Sequence, residues 1–279
     1  MDKSNTASVK AFPIRQPASG IRQVEISRGV VIGSKRLVVI AGPCSIESEE
    51  QFFDTADAVI QCGAAALRGG VFKPRTSPYS FQGLGCEGLG IIKHAKKRYD
   101  VPIVSELLDV RYLDDMCRVV DMIQVGSRNM YNYPLLKELG KVNKPVLLKR
   151  GFMATLEEFV GAAHYILSNG NNNVVLCERG IRSFDSATRF CLDLSSVPVL
   201  KEMTGLPVVV DPSHATGVSR YVEPMAMAAV AAGADGVMVE VHRNPSQALS
   251  DGHQSLNFAE FRRLCSRLRG IANAVGRRL

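Results

Sequence analysis

Tryptophan is absent from this chain, and aromatic residues make up only 6% of it. The scarcity bears on a formal charge of +7, which alone would suit a nucleic-acid surface. Such surfaces interleave stacking aromatics with basic residues or carry a recognisable motif, and the sequence has neither. Apolar runs long enough to span a bilayer are also missing, so no membrane segment is expected. The first twenty residues lack the apolar stretch of a secretory signal, and few arginines together with Asp2 argue against an organelle transit peptide. A cytoplasmic location is therefore expected. Seven cysteines, odd in number and irregular in spacing, include no CxxC pair, which excludes a disulfide framework or a zinc site of that type as the expectation. They read as reduced thiols, mostly buried.

What is present is a large apolar fraction, 46% hydrophobic against 22% charged in 279 residues, enough for one sizeable α/β core. Short apolar runs recur at Leu37–Ala41, Ala65–Arg68, Pro102–Ser105, Met122–Val125, Val146–Lys149, Val174–Cys177, Pro207–Val210 and Gly236–Val239. Each reads as a strand buried on both faces, the mark of a parallel sheet. Amphipathic stretches lie between them. Phe52, Phe53, Ala56, Val59 and Ile60 recur at helical spacing after a plausible N-cap, Ser48, and Phe258, Phe261, Leu264, Leu268 and Ile271 do the same near the end. Eight strand–helix units over residues 37–279 predict a (β/α)₈ TIM barrel with a short N-terminal extension, residues 1–36. A doubly wound open sheet is the alternative, but no GxGxxG follows the first strand. Gly29–Ser34 suggests a small hairpin covering the barrel floor. The terminal Arg277-Arg278 reads as a solvated tail.

In such a barrel, chemistry gathers at the C-terminal ends of the strands. Two sets of residues stand there. Cys44, His214, Glu240 and Asp251 combine a thiolate, an imidazole and two carboxylates, a donor set for one divalent ion such as Mn²⁺, Fe²⁺, Co²⁺ or Zn²⁺. Singly, each has a blander reading: a buried thiol, a capping histidine, two solvated loop acids. Convergence at one barrel end favours the metal. The second set is cationic: Arg68, Lys73, Arg75, Arg128, Lys149 and Arg179. Surface charge is the bland reading for any one of them. Cations at the ends of apolar strands, however, call for anions to neutralise them. Six of them fit two phosphates and a carboxylate, with Arg supplying bidentate contacts and Lys a point charge. Lys73–Ser77 lies in a loop from about Gly69 to Leu84, long enough in a compact domain to be functional, and Arg75 with the Thr76 and Ser77 hydroxyls makes a phosphate grip.

The strings AGPCSIES (Ala41–Ser48), LRGGVFKPRTSPYSFQGLG (Leu67–Gly85), VGSRNMYN (Val125–Asn132), VLLKRG (Val146–Gly151), CERGIRSFDSATR (Cys177–Arg189), DPSHATG (Asp211–Gly217) and EVHRNPSQALSDGHQSL (Glu240–Leu256) resemble 3-deoxy-7-phosphoheptulonate (DAHP) synthases of the type I β branch. The resemblance spans residues 30–273. It implies a metal-dependent barrel that condenses phosphoenolpyruvate with erythrose 4-phosphate at the entry to the shikimate pathway. By resemblance, Cys44, His214, Glu240 and Asp251 take the metal. Arg68, Lys73, Arg128, Lys149 and Arg179 hold the phosphate and carboxylate of phosphoenolpyruvate. The stretch Lys73, Pro74, Arg75, Thr76 and Ser77 holds erythrose 4-phosphate, with Arg75 and Thr76 on its phosphate, and Ser127 joins the substrate-binding set. Lys73 or Lys149 is the expected proton donor, and Glu106 is expected to place the water. The related octulosonate synthases, which take arabinose 5-phosphate, carry an asparagine-containing segment where this chain has KPRTS. Ser127, Tyr131 and Arg243 depart from the usual alanine, glutamine and proline, and Arg243 is placed to add a phosphate contact or reshape a loop. The family also implies a homo-oligomer, a tetramer or dimer. No fused regulatory domain is expected, which leaves control to a partner protein open. Two competing readings are a synthase for another phosphorylated aldose and a non-catalytic anion-binding or scaffold barrel.

Overall fold

A computed structural model describes residues 20–279. The expectations placed on residues 1–19 lie outside the described residues. Two antiparallel strands come first, β1 (Val24–Ser27) and β2 (Val30–Ile32). Eight parallel strands follow: β3 (Val38–Gly42), β4 (Ala66–Arg68), β5 (Ile103–Glu106), β6 (Met122–Val125), β7 (Val146–Lys149), β8 (Val174–Glu178), β9 (Val208–Val210) and β10 (Gly236–Glu240). They close into a barrel in chain order, with β10 pairing back onto β3. Helices alternate with them: α1 (Glu49–Gln61), α2 (Cys86–Arg98), α3 (Leu113–Val119), α4 (Tyr133–Gly140), α5 (Leu156–Leu167), α6 (Ser196–Thr204), the short α7 (Pro212–Thr216) with α8 (Ser219–Ala231), and α9 (Phe258–Ala274). The protein is thus the (β/α)₈ TIM barrel that the strand spacing predicts.

Alternation along the strands divides the core in two. Val39, Ala41, Leu67, Ile103, Ile123, Leu148, Leu176 and Val210 turn outward and pack under the helices. Val38, Ile40, Ala66, Val104, Met122, Leu147, Val175, Val209 and Met238 turn inward and fill the lumen together with Val24, Ile26 and Ile32 of the hairpin. The hairpin therefore plugs the floor. It sits earlier than Gly29–Ser34, because Arg28 and Gly29 both adopt positive φ and form the two-residue turn itself.

Helix starts follow local chemistry. The Ser48 hydroxyl accepts the Gln51 N–H at 3.1 Å to cap α1, and reciprocal capping boxes, Thr155 with Glu158 and Asn257 with Glu260, open α5 and α9. The C-terminus is not a solvated tail. The Leu37 N–H donates to the Arg278 carbonyl at 2.6 Å, and the Arg277 guanidinium pairs with buried Asp235 at 2.7 Å. An unpaired Asp235 carboxylate in the barrel floor would be costly, and Arg277 and Lys201 neutralise it.

Candidate metal centre and anion cavity

The C-terminal ends of β3, β9 and β10, with the loop after β10, bring Cys44, His214, Glu240 and Asp251 together. One donor atom from each lies within 4.8 Å of the others. Cys44 and Glu240 are buried, while His214 and Asp251 are half-buried and face the cavity above. Asp211 caps α7 through the His214 N–H at 2.9 Å and accepts from the His214 ring Nδ1 at 2.7 Å. That bond fixes the tautomer and leaves Nε2 pointing at Glu240 Oε1, 3.3 Å away. Burial holds the His214 imidazole down to about 4, so it is neutral at physiological pH. Burial opposes charge on Glu240, but His214, Arg68 and Lys73 outweigh it and hold that carboxyl down to about 2. Asp251 is likewise held below the usual carboxylate range, by Lys73 and His214 against desolvation. Burial and Glu240 push the Cys44 thiol up, an effect that a divalent cation among the donors reverses. A free imidazole lone pair, two ionised carboxylates and one sulfur converging in a buried pocket fit a divalent transition-metal ion.

Around this cluster the expected cations take different places. Lys73, Arg75, Arg128, Lys149 and Arg179 line one cavity with Pro74, Thr76, Ser77, Glu106 and Ser127. Arg68 does not line it. Its guanidinium lies beneath, 2.5 Å from Glu240 Oε1 and 3.3 Å from the Cys44 carbonyl. The end of β4 points its side chain across the barrel at the Glu240 carboxylate, so Arg68 braces a member of the four-donor cluster and is not among the cavity lining. Lys149 is paired with buried Asp211. Lys73 donates to Cys44 Sγ at 2.6 Å and stands 3.4 Å from Asp251 Oδ2. Glu106 accepts from Gln124 Nε2 at 3.0 Å. Arg75 has a buried Nη1 without a hydrogen-bond partner.

Several residues at the site carried no assignment from the sequence. Asp211 organises His214 and Lys149, and its position three residues before the histidine at a helix start is the available signal. Gln254 is fully buried and donates to Glu240 Oε2 at 2.5 Å while accepting from Arg189 Nη1 at 3.1 Å. Arg189 in turn lines the cavity, as do Gln124 and Phe152. Arg150, next to Lys149, instead clamps Glu178 at 3.0 Å and Asp193 at 2.9 Å, which ties the loop after β8 to the barrel. Arg243 does not reach the cavity. It pairs at 2.7 Å with both Glu50 and Asp54 on α1. Tyr131 is exposed and hydrogen-bonds Glu158 at 3.3 Å, also outside the cavity lining.

A family model described as the DAHP synthetase I family matches residues 13–275. A phospho-2-dehydro-3-deoxyheptonate aldolase from Thermotoga maritima is 49% identical over 247 residues, covering 88% of this chain and 73% of that protein. A 2-dehydro-3-deoxyphosphooctonate aldolase from Geobacter sulfurreducens is 33% identical over 271 residues, covering 90% of this chain and 97% of that protein. Among solved structures, the T. maritima DAHP synthase superposes with a TM-score of 0.90 at 46% identity, covering 93% of this chain and 76% of that one. A truncated form of 3-deoxy-D-arabino-heptulosonate 7-phosphate synthase from the same organism gives 0.86 at 42% identity, covering 93% and 95%.

Proposed function

The chain belongs to the DAHP synthetase I family, and from that premise we propose how its own residues carry the reaction. The enzyme is a 3-deoxy-7-phosphoheptulonate synthase: phosphoenolpyruvate, erythrose 4-phosphate and water give 3-deoxy-D-arabino-heptulosonate 7-phosphate and phosphate, the first step of the shikimate pathway. Carbon 3 of phosphoenolpyruvate bonds to the aldehyde carbon, water adds at carbon 2, and phosphate leaves by carbon–oxygen cleavage. The observation that carries the assignment of roles is the junction of a four-donor cluster with a cation-lined cavity.

Cys44, His214, Glu240 and Asp251 hold one divalent ion, which when bound supplies Lewis-acid polarisation of the aldehyde oxygen. The mixed sulfur, nitrogen and oxygen set suits Mn²⁺, Fe²⁺, Co²⁺ or Zn²⁺. Arg128, Lys149 and Arg179, with Ser127, hold the phosphate and carboxylate of phosphoenolpyruvate. Pro74, Arg75, Thr76 and Ser77 hold the sugar phosphate, with Arg75 and Thr76 on its oxygens. Lys73 joins the two regions. Its ammonium stands beside the metal donors and can pass a proton to the aldehyde oxygen as that becomes a hydroxyl. Lys149, tied to Asp211, is the second candidate donor. Glu106 accepts a hydrogen bond from the attacking water and aims it at carbon 2. Holding two anions together in a fixed geometry offsets their repulsion, and much of the rate gain comes from that.

Residues 37–279 form the catalytic barrel in this reading, with residues 1–36 as an extension whose hairpin closes the floor. Self-association into a dimer or tetramer and a cytoplasmic location belong to it as well, and a regulatory partner protein is compatible with it. No helix among the described residues is long and apolar enough to cross a membrane.

The test is phosphate release measured with erythrose 4-phosphate and arabinose 5-phosphate side by side, with and without chelator. Release with the four-carbon sugar, lost on chelation and restored by Mn²⁺, is expected, and Cys44→Ala should abolish it. Full activity after complete metal removal, or near-normal rates for Cys44→Ala, overturns the metal assignment. Preference for the five-carbon sugar overturns the acceptor.

A further inference from the structure

Arg179 follows β8 and is 3% exposed, yet among the described residues it makes no ion pair, and its buried Nη1 has no hydrogen-bond partner. Two aromatic rings lie against it. The guanidinium carbon lies 4.3 Å from the ring centre of Phe190 and 4.9 Å from that of Phe152. The two rings stack on each other, 5.1 Å apart and 12° from parallel. Arg128, the other arginine assigned to the same anion, stands 5.5 Å from the Phe152 ring centre. Neither ring belongs to the hydrophobic clusters that build the barrel, so packing of the core does not account for them. Both are held by backbone bonds. The Phe190 N–H donates to the Ala215 carbonyl at 2.8 Å, and the Phe152 carbonyl accepts the Arg182 N–H at 2.7 Å. Gly180 makes room for this arrangement, because a Cβ there would meet the Phe190 Cβ at 2.7 Å.

We infer that Phe152 and Phe190 are positioning residues that hold the guanidiniums of Arg179 and Arg128 by their ring faces and so preset the anion site. A carboxylate in their place would neutralise the charge and occupy N–H donors. A ring face stabilises a desolvated cation while every N–H stays available to the incoming phosphate or carboxylate. The Phe152 ring also touches both arginines, which offsets the repulsion between two like charges before the anion arrives. This rests on the reading of Arg128 and Arg179 as the phosphoenolpyruvate contacts.

Steady-state kinetics of metal-replete Phe152→Leu and Phe190→Leu test it, with calorimetric titration of phosphoenolpyruvate alone and a melting curve for each. Expected is a rise of about tenfold in KM and Kd for phosphoenolpyruvate, the size of a desolvated cation–π contact. The erythrose 4-phosphate KM and the melting temperature should hold, and Phe190→Tyr should restore wild-type values. Trifluorophenylalanine at position 190 keeps the ring's shape and drains its negative face, so it should give the same loss without a cavity even where the leucine variant fails to fold. Unchanged phosphoenolpyruvate affinity in the leucine and fluorinated variants, or equal loss for both substrates in step with melting temperature, overturns the inference. Arg179→Ala separates the layers. If it too leaves phosphoenolpyruvate affinity intact, the underlying anion assignment falls; if it weakens binding while the ring variants do not, only the platform falls.

Discussion

Lys73 Nζ lies 2.6 Å from Cys44 Sγ, so one ammonium touches the four-donor cluster while its residue belongs to the loop that lines the cavity above it. The loop is closed behind it, because the Lys73 N–H donates to the Gln82 carbonyl at 2.8 Å. Cys44, Glu240 and Asp251 together hold the Lys73 ammonium charged against its burial. A divalent ion on those same donors would repel the lysine. Lys73→Met should therefore bind Mn²⁺ at least as tightly as the parent protein while turnover falls by about a hundredfold or more, the scale of a lost general acid. Metal titration beside kcat checks this, and parallel loss of metal and turnover would place Lys73 among the supports of the donor cluster instead.

The Asp211 carboxylate serves three groups: the His214 N–H, the His214 ring and Lys149. Asp211→Asn keeps an acceptor for the α7 cap but sets an amide N–H₂ against either the ring N–H or the ammonium. Helix stability should change little. Metal affinity should drop about 10- to 100-fold, as for other carboxylate partners of metal-bound histidines. A metal titration with a parallel melting curve decides between this and a purely structural role, which predicts a lower melting temperature at unchanged affinity.

Much of this was legible in the sequence, for identifiable reasons. Strands buried on both faces write continuous apolar runs, and all eight barrel strands lie within a residue or so of the runs that predict them. The strand-end rule then selects Cys44, Lys149, Arg179, His214 and Glu240 without any contact information. What it does not give is side-chain direction. Arg68 and Arg75 look alike in sequence, yet one turns under the donor cluster and the other lines the cavity. Gln254 and Arg189 are 65 positions apart, and only the closed barrel makes them neighbours. Phe152 and Phe190 read as ordinary apolar residues because their partners are cations from other loops.

Gly126 offers a clean probe of Glu106. Its φ of −68° suits any residue, so alanine there meets no backbone strain. A Cβ at that position would nevertheless sit 2.0 Å from Glu106 Oε1, and its three nearest atoms all belong to that carboxylate. Gly126→Ala should push the Glu106 carboxylate off its place and leave the barrel intact. If Glu106 aims the water, Gly126→Ala and Glu106→Gln should both lower kcat by about 10²-fold or more, with small changes in either KM and in melting temperature. Normal kcat in both variants removes Glu106 from the chemistry.

Arg75 is where the choice of acceptor becomes measurable. It lines the cavity beside Thr76 and Ser77, and its Nη1 is buried without a hydrogen-bond partner, an arrangement that costs stability unless an anion completes it. The phosphate of the sugar is the group that this region of the cavity would receive. Arg75→Ala removes a charge-assisted contact and the burden of an unsatisfied donor together. It should raise the erythrose 4-phosphate KM by about tenfold or more, the scale of a hydrogen bond between charged groups, and leave phosphoenolpyruvate affinity unchanged. Arg75→Lys should recover only part of the loss, because a point charge cannot reproduce a bidentate fork. A rise in the phosphoenolpyruvate KM with no change for the sugar would exchange the two ends of the cavity and reassign Lys73–Ser77 to the other substrate.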